Sequence, residues 1–343
     1  MEYRILGRTG VKVSPLCLGT MMFGAWGNTD HDDSIRIIHH ALDAGINFID
    51  TADVYAQGES EEIVGRALVG RRDSVILATK AHGKMDDGIN NQGNSRRWIM
   101  REVESSLTRL KTDWIDLYQM HRADPSTEID DTLRALDDLI AQGKVRYIGS
   151  STFPAADIVE AQWCARERRY ARFVTEQPPY SMLVRGVEND VLPVCLRHGM
   201  GVLTWSPLAS GWLSGKWRKG MPAPQTRRAE RLPARFDLAL PENQRKLDAA
   251  DALAVLADEA GVSLVHLAIA WVLRHPAVTS AIIGPRTMEH LTSQLGAEKI
   301  TIDVALLDRI DAIVAPGTNL VSTDGGWQNP ALQAEARRRA PAV

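Results

Sequence analysis

Short apolar runs, many of them β-branched, recur along the chain and alternate with longer stretches of helical spacing. Eight runs read as strands: Leu16–Gly19, Ile46–Asp50, Val75–Thr79, Ile115–Met120, Val145–Ser150, Phe173–Gln177, Gly201–Trp205 and Ser280–Gly284. They are continuously apolar rather than alternating, as a parallel sheet covered on both faces requires. Between them lie amphipathic segments. From about Thr127 to Gln142, the residues Ile129, Leu133, Leu136 and Ile140 fall on one helical face, with Gly143 as a stop signal. From Ser95 to Leu110, the residues Ile99, Val103, Leu107 and Leu110 do the same. Pro154 suits the first turn of the next helix.

The first seven strand starts recur about every 28 to 40 residues, which is the period of a βα unit. Eight such units predict a (β/α)8 barrel, with a doubly wound open sheet as the competing architecture. Three stretches fall outside the units. Residues 3–13, with a turn-like Gly7-Arg8-Thr9-Gly10, read as a β-hairpin lying over the bottom of the barrel. Residues 215–243 are rich in Pro, Arg and Lys and read as a long loop after the seventh strand; the basic run from Arg227 to Arg235 reads as solvated. Residues 316–343 read as a C-terminal extension. The length of 343 residues alone suggests two domains. The strand count instead assigns residues 16–315 to one barrel, and residues 1–343 to one domain.

With 44% hydrophobic and 24% charged residues, the chain has an ordinary globular composition. A net charge of −3 without a dominant basic block speaks against nucleic-acid or membrane-surface partners. Cys17, Cys164 and Cys195 form no CxxC pair, which speaks against a disulfide framework or a thiolate metal site. No apolar h-region opens the chain and no run reaches bilayer-spanning length, so a cytoplasmic location is expected.

Several familiar motifs fail. No GxGxxG follows the first strand. The segment Gly211 to Lys216 is one residue short of a phosphate loop and lacks the following Ser or Thr. There is no HExxH, and His39 and His40 fall on a helical pattern, so no metal is expected.

The chemistry is positional. Asp50 closes the second strand, with Tyr55 in the loop that follows. Lys80 follows the third strand and His121 the fourth. Ser150 and Ser151, Gln177, Ser206 and Gly284 mark the ends of the last four. A barrel brings all these ends to one face, where barrel enzymes place their chemistry. A tyrosine hydroxyl has an ordinary pKa of about 10. Lys80 nearby is expected to lower it, Asp50 to hold Lys80 charged, and His121 to bond a substrate oxygen or the phenol.

In order, the chain carries Asn47-Phe48-Ile49-Asp50-Thr51-Ala52-Asp53-Val54-Tyr55, Ala78-Thr79-Lys80, Asp116-Leu117-Tyr118-Gln119-Met120-His121, Gly149-Ser150-Ser151-Thr152-Phe153, Trp205-Ser206-Pro207-Leu208 and Ile282-Ile283-Gly284-Pro285-Arg286-Thr287. On these motifs it resembles the aldo-keto reductases from Leu6 to about residue 315, and among them the bacterial and potassium-channel beta-subunit-like branches. The resemblance implies a barrel, bound NADPH and a catalytic tetrad of Asp50, Tyr55, Lys80 and His121.

It also implies cofactor contacts. Ser151 and Thr152 would hold the nicotinamide carboxamide, with Gln177 beside them; the family more often has Asn where Thr152 stands. Trp205 would stack on the nicotinamide. Ser206, Pro207, Leu208, Ser210 and Lys216 would cover the pyrophosphate. Gly284, Arg286, His290 and Gln294 would grip the adenosine 2′-phosphate. Gly19, Thr20 and Met21, after the first strand, and Asp50 complete the set. Trp26, Met85 and Trp327 are expected to line the substrate pocket with Tyr55 and His121.

The reading is an NADPH-dependent reductase that interconverts a carbonyl compound and an alcohol, both small molecules. The oligomeric state, including a homo-oligomer, stays open. Two rivals remain: an NADPH-binding regulatory or redox-sensing subunit, and a Schiff-base aldolase using Lys80.

Overall fold

The computed structural model describes residues 1–329, together with Leu332 and Ala336, and leaves the Arg227 side chain undescribed. The rest of the C-terminal extension lies outside the described residues. Among the described residues ten strands occur: β1 (Arg4–Ile5), β2 (Lys12–Val13), β3 (Leu16–Gly19), β4 (Phe48–Asp50), β5 (Ile76–Ala81), β6 (Ile115–Met120), β7 (Val145–Ser151), β8 (Thr175–Gln177), β9 (Gly201–Thr204) and β10 (Val278–Ile283). β1 and β2 pair as an antiparallel hairpin, and β3 to β10 close into a parallel barrel in which β10 pairs with both β3 and β9. The open-sheet alternative is thereby excluded.

Among the described residues eleven α-helices accompany the strands: α1 (His31–Asp43), α2 (Glu59–Ala67), α3 (Arg96–Leu110), α4 (Ile129–Ala141), α5 (Ala155–Arg168), α6 (Val191–His198), α7 (Arg227–Arg231), α8 (Pro241–Glu259), α9 (Leu264–Arg274), α10 (Met288–Thr292) and α11 (Val304–Ile313). Local chemistry starts them. Asp30 caps α1 at the Asp33 N–H, Ser95 caps α3 at the Trp98 N–H, and Ser263 caps α9 at the His266 N–H. Gly143, at φ +75°, follows α4 as read from the sequence. Pro154 is the cap of α5 rather than part of its first turn, because its ψ of 148° is extended.

The main core lies between barrel and helices, and a smaller one fills the barrel itself. In the smaller core, Leu6 and Val13 of the hairpin region pack with Cys17, Phe48, Ala78, Leu117, Leu203 and Ile282. The hairpin therefore plugs the end of the barrel opposite the strand C-termini. Gly7 is required there: at φ +54°, a Cβ would stand 2.6 Å from the Val174 carbonyl.

Two expectations need correction. Strand ends shift by one to two residues at several places, because inter-strand pairing sets them: Lys80 lies within β5, while Trp205 and Gly284 lie just beyond β9 and β10. The stretch 215–243 is not simply loop. Thr226 caps α7 at the Ala229 N–H, and Pro241, free of any donor the first turn would need, starts α8. Phe236 within it is buried and stacks on Trp212 and Trp217. Among the described residues, no single helix is long and apolar enough to cross a membrane.

Candidate active site

Parallel register brings four inward-facing side chains together near the C-terminal mouth of the barrel. Asp50 ends β4, Lys80 lies opposite Gln119 across β5 and β6, and Gln177 ends β8. The Lys80 ammonium, fully buried, donates to Asp50 Oδ1 at 2.5 Å and to the Thr51 carbonyl at 2.8 Å, and stands 3.4 Å from the Tyr55 hydroxyl. The other oxygen of Asp50 accepts from Gln119 at 3.1 Å and from Gln177 at 2.8 Å. A buried carboxylate is thus paired with a cation and also hydrogen-bonded on its second oxygen, the condition under which such burial is tolerated.

Tyr55 reaches this cluster from the loop after β4. Its ring meets His121 edge-on, centroids 5.8 Å apart, and Trp26 at 6.1 Å. Burial pulls the Lys80 ammonium down, but Asp50 and Tyr55 more than offset it, and Lys80 is held above its ordinary range. Burial also pushes the Tyr55 phenol above its usual value, and this outweighs the opposing pull of Lys80. The expectation of a phenol lowered by Lys80 is therefore reversed in its net direction: desolvation of the phenolate wins. Burial, then Lys80 and Arg122, push His121 well below the usual histidine range, so its imidazole is neutral at pH 7.

A second group of residues spans the loops after β7, β9 and β10. The Trp205 indole donates to Thr152 Oγ1 at 3.3 Å, and Ser151 Oγ donates to the Gln177 carbonyl at 3.0 Å. Thr152 has φ +57°, a conformation in which Asn is enriched and a β-branched residue is strained, which accounts for the Asn more usual in the family at this position. Ser206, Ala209 and Ser210 are also left-handed. With Ala56 and Gln57 beside Tyr55, six of the nine positive-φ residues other than glycine among the described residues lie next to this cluster. Strain concentrated in this way marks functional loops. Farther out, burial and then the charges of Lys216 and Arg286 lower the His290 pKa, against an opposing pull from Glu289. A set of two permanent cations and one imidazole suits a phosphate.

The remaining candidates are placed less uniformly. Gly19 ends β3, and Met21 is half-buried in the turn beyond it. The Thr20 hydroxyl is turned to Ser60 at 2.9 Å. Pro207 is buried and Leu208 half-buried beside the strained loop, and Gly284 is exposed. The Gln294 amide is spent on the His290 carbonyl at 2.7 Å. Met85 is half-buried on the loop after β5, and Trp327 is exposed. Among the described residues neither makes a ring contact with Tyr55 or His121. It is Gly326 that packs on the Trp205 ring, where a Cβ would approach to 2.8 Å.

Two members of the site were not singled out from the sequence. Gln119 lies two residues before His121, and strand alternation would have pointed it inward. Arg122, which donates to the His121 carbonyl at 2.5 Å and to Thr152 at 3.4 Å, carried no such signal.

A closed parallel barrel with an acid, an amine, a phenol and an imidazole gathered at its C-terminal mouth has the layout of a barrel enzyme. The model of the aldo/keto reductase family matches residues 15–315, and the chain belongs to that family. It is 41% identical over 329 residues to the uncharacterized oxidoreductase YrpG of Bacillus subtilis (strain 168), covering 92% of this chain and 97% of that protein. It is 37% identical to a probable voltage-gated potassium channel subunit beta of Arabidopsis thaliana, with the same coverage. It is 33% identical to the versiconal hemiacetal acetate reductase of Aspergillus parasiticus, covering 88% of this chain and 94% of that protein.

Proposed function

We propose that this protein is an NADPH-dependent reductase of aldehydes or ketones, working reversibly, with Tyr55 as the proton donor. The observation that carries the reading is the buried Lys80 ammonium, paired with Asp50 and 3.4 Å from the Tyr55 hydroxyl. NADPH, when bound, supplies the hydride taken up by the carbonyl carbon. The residues present fit that cofactor: Arg286 and His290 suit the 2′-phosphate, the strained Ser206–Ser210 loop with Lys216 the pyrophosphate, and Ser151, Thr152, Gln177 and Trp205 the nicotinamide.

The chain's own residues manage the proton. Tyr55 keeps its proton at neutral pH and gives it to the carbonyl oxygen as negative charge develops there. The phenolate left behind faces the Lys80 ammonium, which stabilises it until solvent returns a proton. Neutral His121 can donate one N–H to the same oxygen without losing it, which fixes the carbonyl's orientation. A Schiff-base role for Lys80 is disfavoured, since a nucleophilic amine needs a lowered pKa and this one is raised.

Tyr55→Phe should lower turnover on a carbonyl panel by roughly 10²- to 10⁴-fold while NADPH still binds, as followed by cofactor fluorescence. Full activity in this variant would sink the mechanism. Arg286→Ala should weaken NADPH by roughly tenfold or more and NADH little, from the loss of charged hydrogen bonds. Equal losses for both would remove the 2′-phosphate role. The relatives named as channel subunits favour a second reading, a cofactor-binding regulatory subunit with slow turnover. Steady-state rates across the panel separate the two.

A further inference from the structure

The loop after β3 closes on itself and carries Trp26. The Gly24 N–H bonds the Asn28 carbonyl at 2.8 Å, the Asn28 N–H bonds the Met22 carbonyl at 2.8 Å, and Phe23 is fully buried. The Trp26 ring stands 6.1 Å from Tyr55. Two points fasten this loop to the rest of the chain. At its end, the Asn28 amide donates to Asp33 of α1 at 2.7 Å and to the Arg286 carbonyl at 3.1 Å. At its middle, the Ala25 N–H donates to Glu59 Oε2 at 2.7 Å. Glu59 opens α2, four residues after Tyr55. Its other oxygen accepts from Nε2 of His31 on α1 at 2.6 Å, and Arg66 stands 3.4 Å from the opposite ring nitrogen. Gly24 is buried against the same carboxylate. At φ +92°, it admits a contact that a Cβ, 2.5 Å from Glu59 Oε2, would block.

Among the described residues the Glu59 side chain bonds Ala25 and His31, and it touches neither the reacting groups nor the cofactor set. It joins the backbone beside Trp26 to the segment that carries Tyr55. The other contact of the Trp26 ring, with Arg231 at 4.3 Å, is made by an exposed cation and is of the weaker kind.

We propose that Glu59 is a positioning residue: through the Ala25 N–H it sets Trp26 against Tyr55, and so gives the site its preference for flat aromatic carbonyl compounds over small aliphatic ones. The inference rests on the reductase reading and narrows its substrate class. A carboxylate that accepts from a backbone N–H makes a charge-assisted bond, stronger than a neutral one. With the bond in place, the two rings keep a fixed separation, and a planar substrate can pack offset or edge-on against them. A short aliphatic aldehyde covers little of either ring and gains little from that order.

The test compares kcat/KM for 2-naphthaldehyde and for propanal at saturating NADPH. The wild type should favour the aromatic compound by about tenfold or more, from ring packing and apolar burial. Glu59→Ala should cut that ratio by about five- to tenfold through KM for the aromatic aldehyde, with NADPH affinity unchanged. Glu59→Gln keeps an acceptor for the Ala25 N–H and should hold most of the ratio. In a Trp26→Leu background, Glu59→Ala should move the ratio no further, because the ring it positions is gone. A wild-type ratio near one overturns the proposal. So does a Glu59→Ala variant that unfolds earlier but keeps the ratio, or one whose effect is as large without Trp26 as with it. Should the wild type reduce neither aldehyde, the reductase reading fails on its own. The clasp is then judged by amide hydrogen exchange in peptides covering residues 22–28. Exchange at Ala25 faster by about tenfold in Glu59→Ala, and near wild type in Glu59→Gln, supports it. Unchanged exchange in Glu59→Ala overturns it.

Discussion

Glu176 stands fully buried on β8, one residue before Gln177. Its carboxyl accepts from Ser150 Oγ at 2.5 Å and from the Phe153 N–H at 3.2 Å, so it holds the turn that carries left-handed Thr152. Burial pushes its pKa from the ordinary 4.5 up to about 7, against those hydrogen bonds. The sign for stability follows from proton counts. Between about 4.5 and 7 the folded chain keeps this proton while the unfolded chain releases it, so this group costs stability as pH rises. Glu176→Gln should preserve the shape, accepting from Phe153 and donating to Ser150, which can turn its own proton to the Thr175 carbonyl. The variant should match wild type near pH 5 and exceed it at pH 8 by about 2 kcal/mol in urea unfolding. An equal difference at both pH values would refute the argument. The cluster of Asp50, Tyr55, Lys80 and His121 was legible because three of these residues stand at or next to strand ends and Tyr55 in the loop after one. Glu176 and Gln119 were not, since their importance depends on which neighbour the barrel's register sets beside them.

At the level of elements, periodicity located all eight barrel strands and the faces of α3 and α4. It missed boundaries, because a strand ends where its ladder partners end and not where apolar residues stop. It also missed α7, a single short turn of arginines without an apolar face, held by the Thr226 cap and by stacking of Arg231 on Trp26. The hairpin was legible through its Gly-Arg-Thr-Gly turn, and its packing makes a sharp prediction. Leu6 is fully buried against the barrel's inner residues, whereas Ile5, its neighbour, is 56% exposed. Leu6→Ala should cost about 2–4 kcal/mol by transfer and cavity terms. Ile5→Ala should stay within about 0.5 kcal/mol. Similar losses for the two in denaturant unfolding would show that the hairpin does not plug the barrel.

The whole molecule is organised around that barrel, and the residues in excess of it gather at its two ends. The segment after α11 runs back as a strap. The Arg185 N–H bonds the Thr318 carbonyl at 2.9 Å, and the Leu320 N–H bonds the Leu183 carbonyl at 3.1 Å. Asp324 then pairs with Lys246 of α8 at 2.6 Å, and Gly326 reaches Trp205. Sequence pattern identified this stretch as surplus but not as a strap, because its holding contacts are backbone bonds, side-chain bonds of Glu188, Asn189 and Asn319, and the ion pairs of Asp324, all with partners far along the chain. Lys246 is only 3% exposed, and Asp324 is its ion-pair partner. Asp324→Ala should strand that ammonium and cost about 3 kcal/mol, more than an exposed pair is worth. Adding Lys246→Met, which removes the charge and keeps the bulk over the Trp212 ring, should return most of the loss. If the strap held instead through its other contacts, the single variant would be near neutral and the double variant no better. A strong interaction energy in the double-mutant cycle identifies the pair itself as what fastens the strap beside Trp205, just beyond the end of β9.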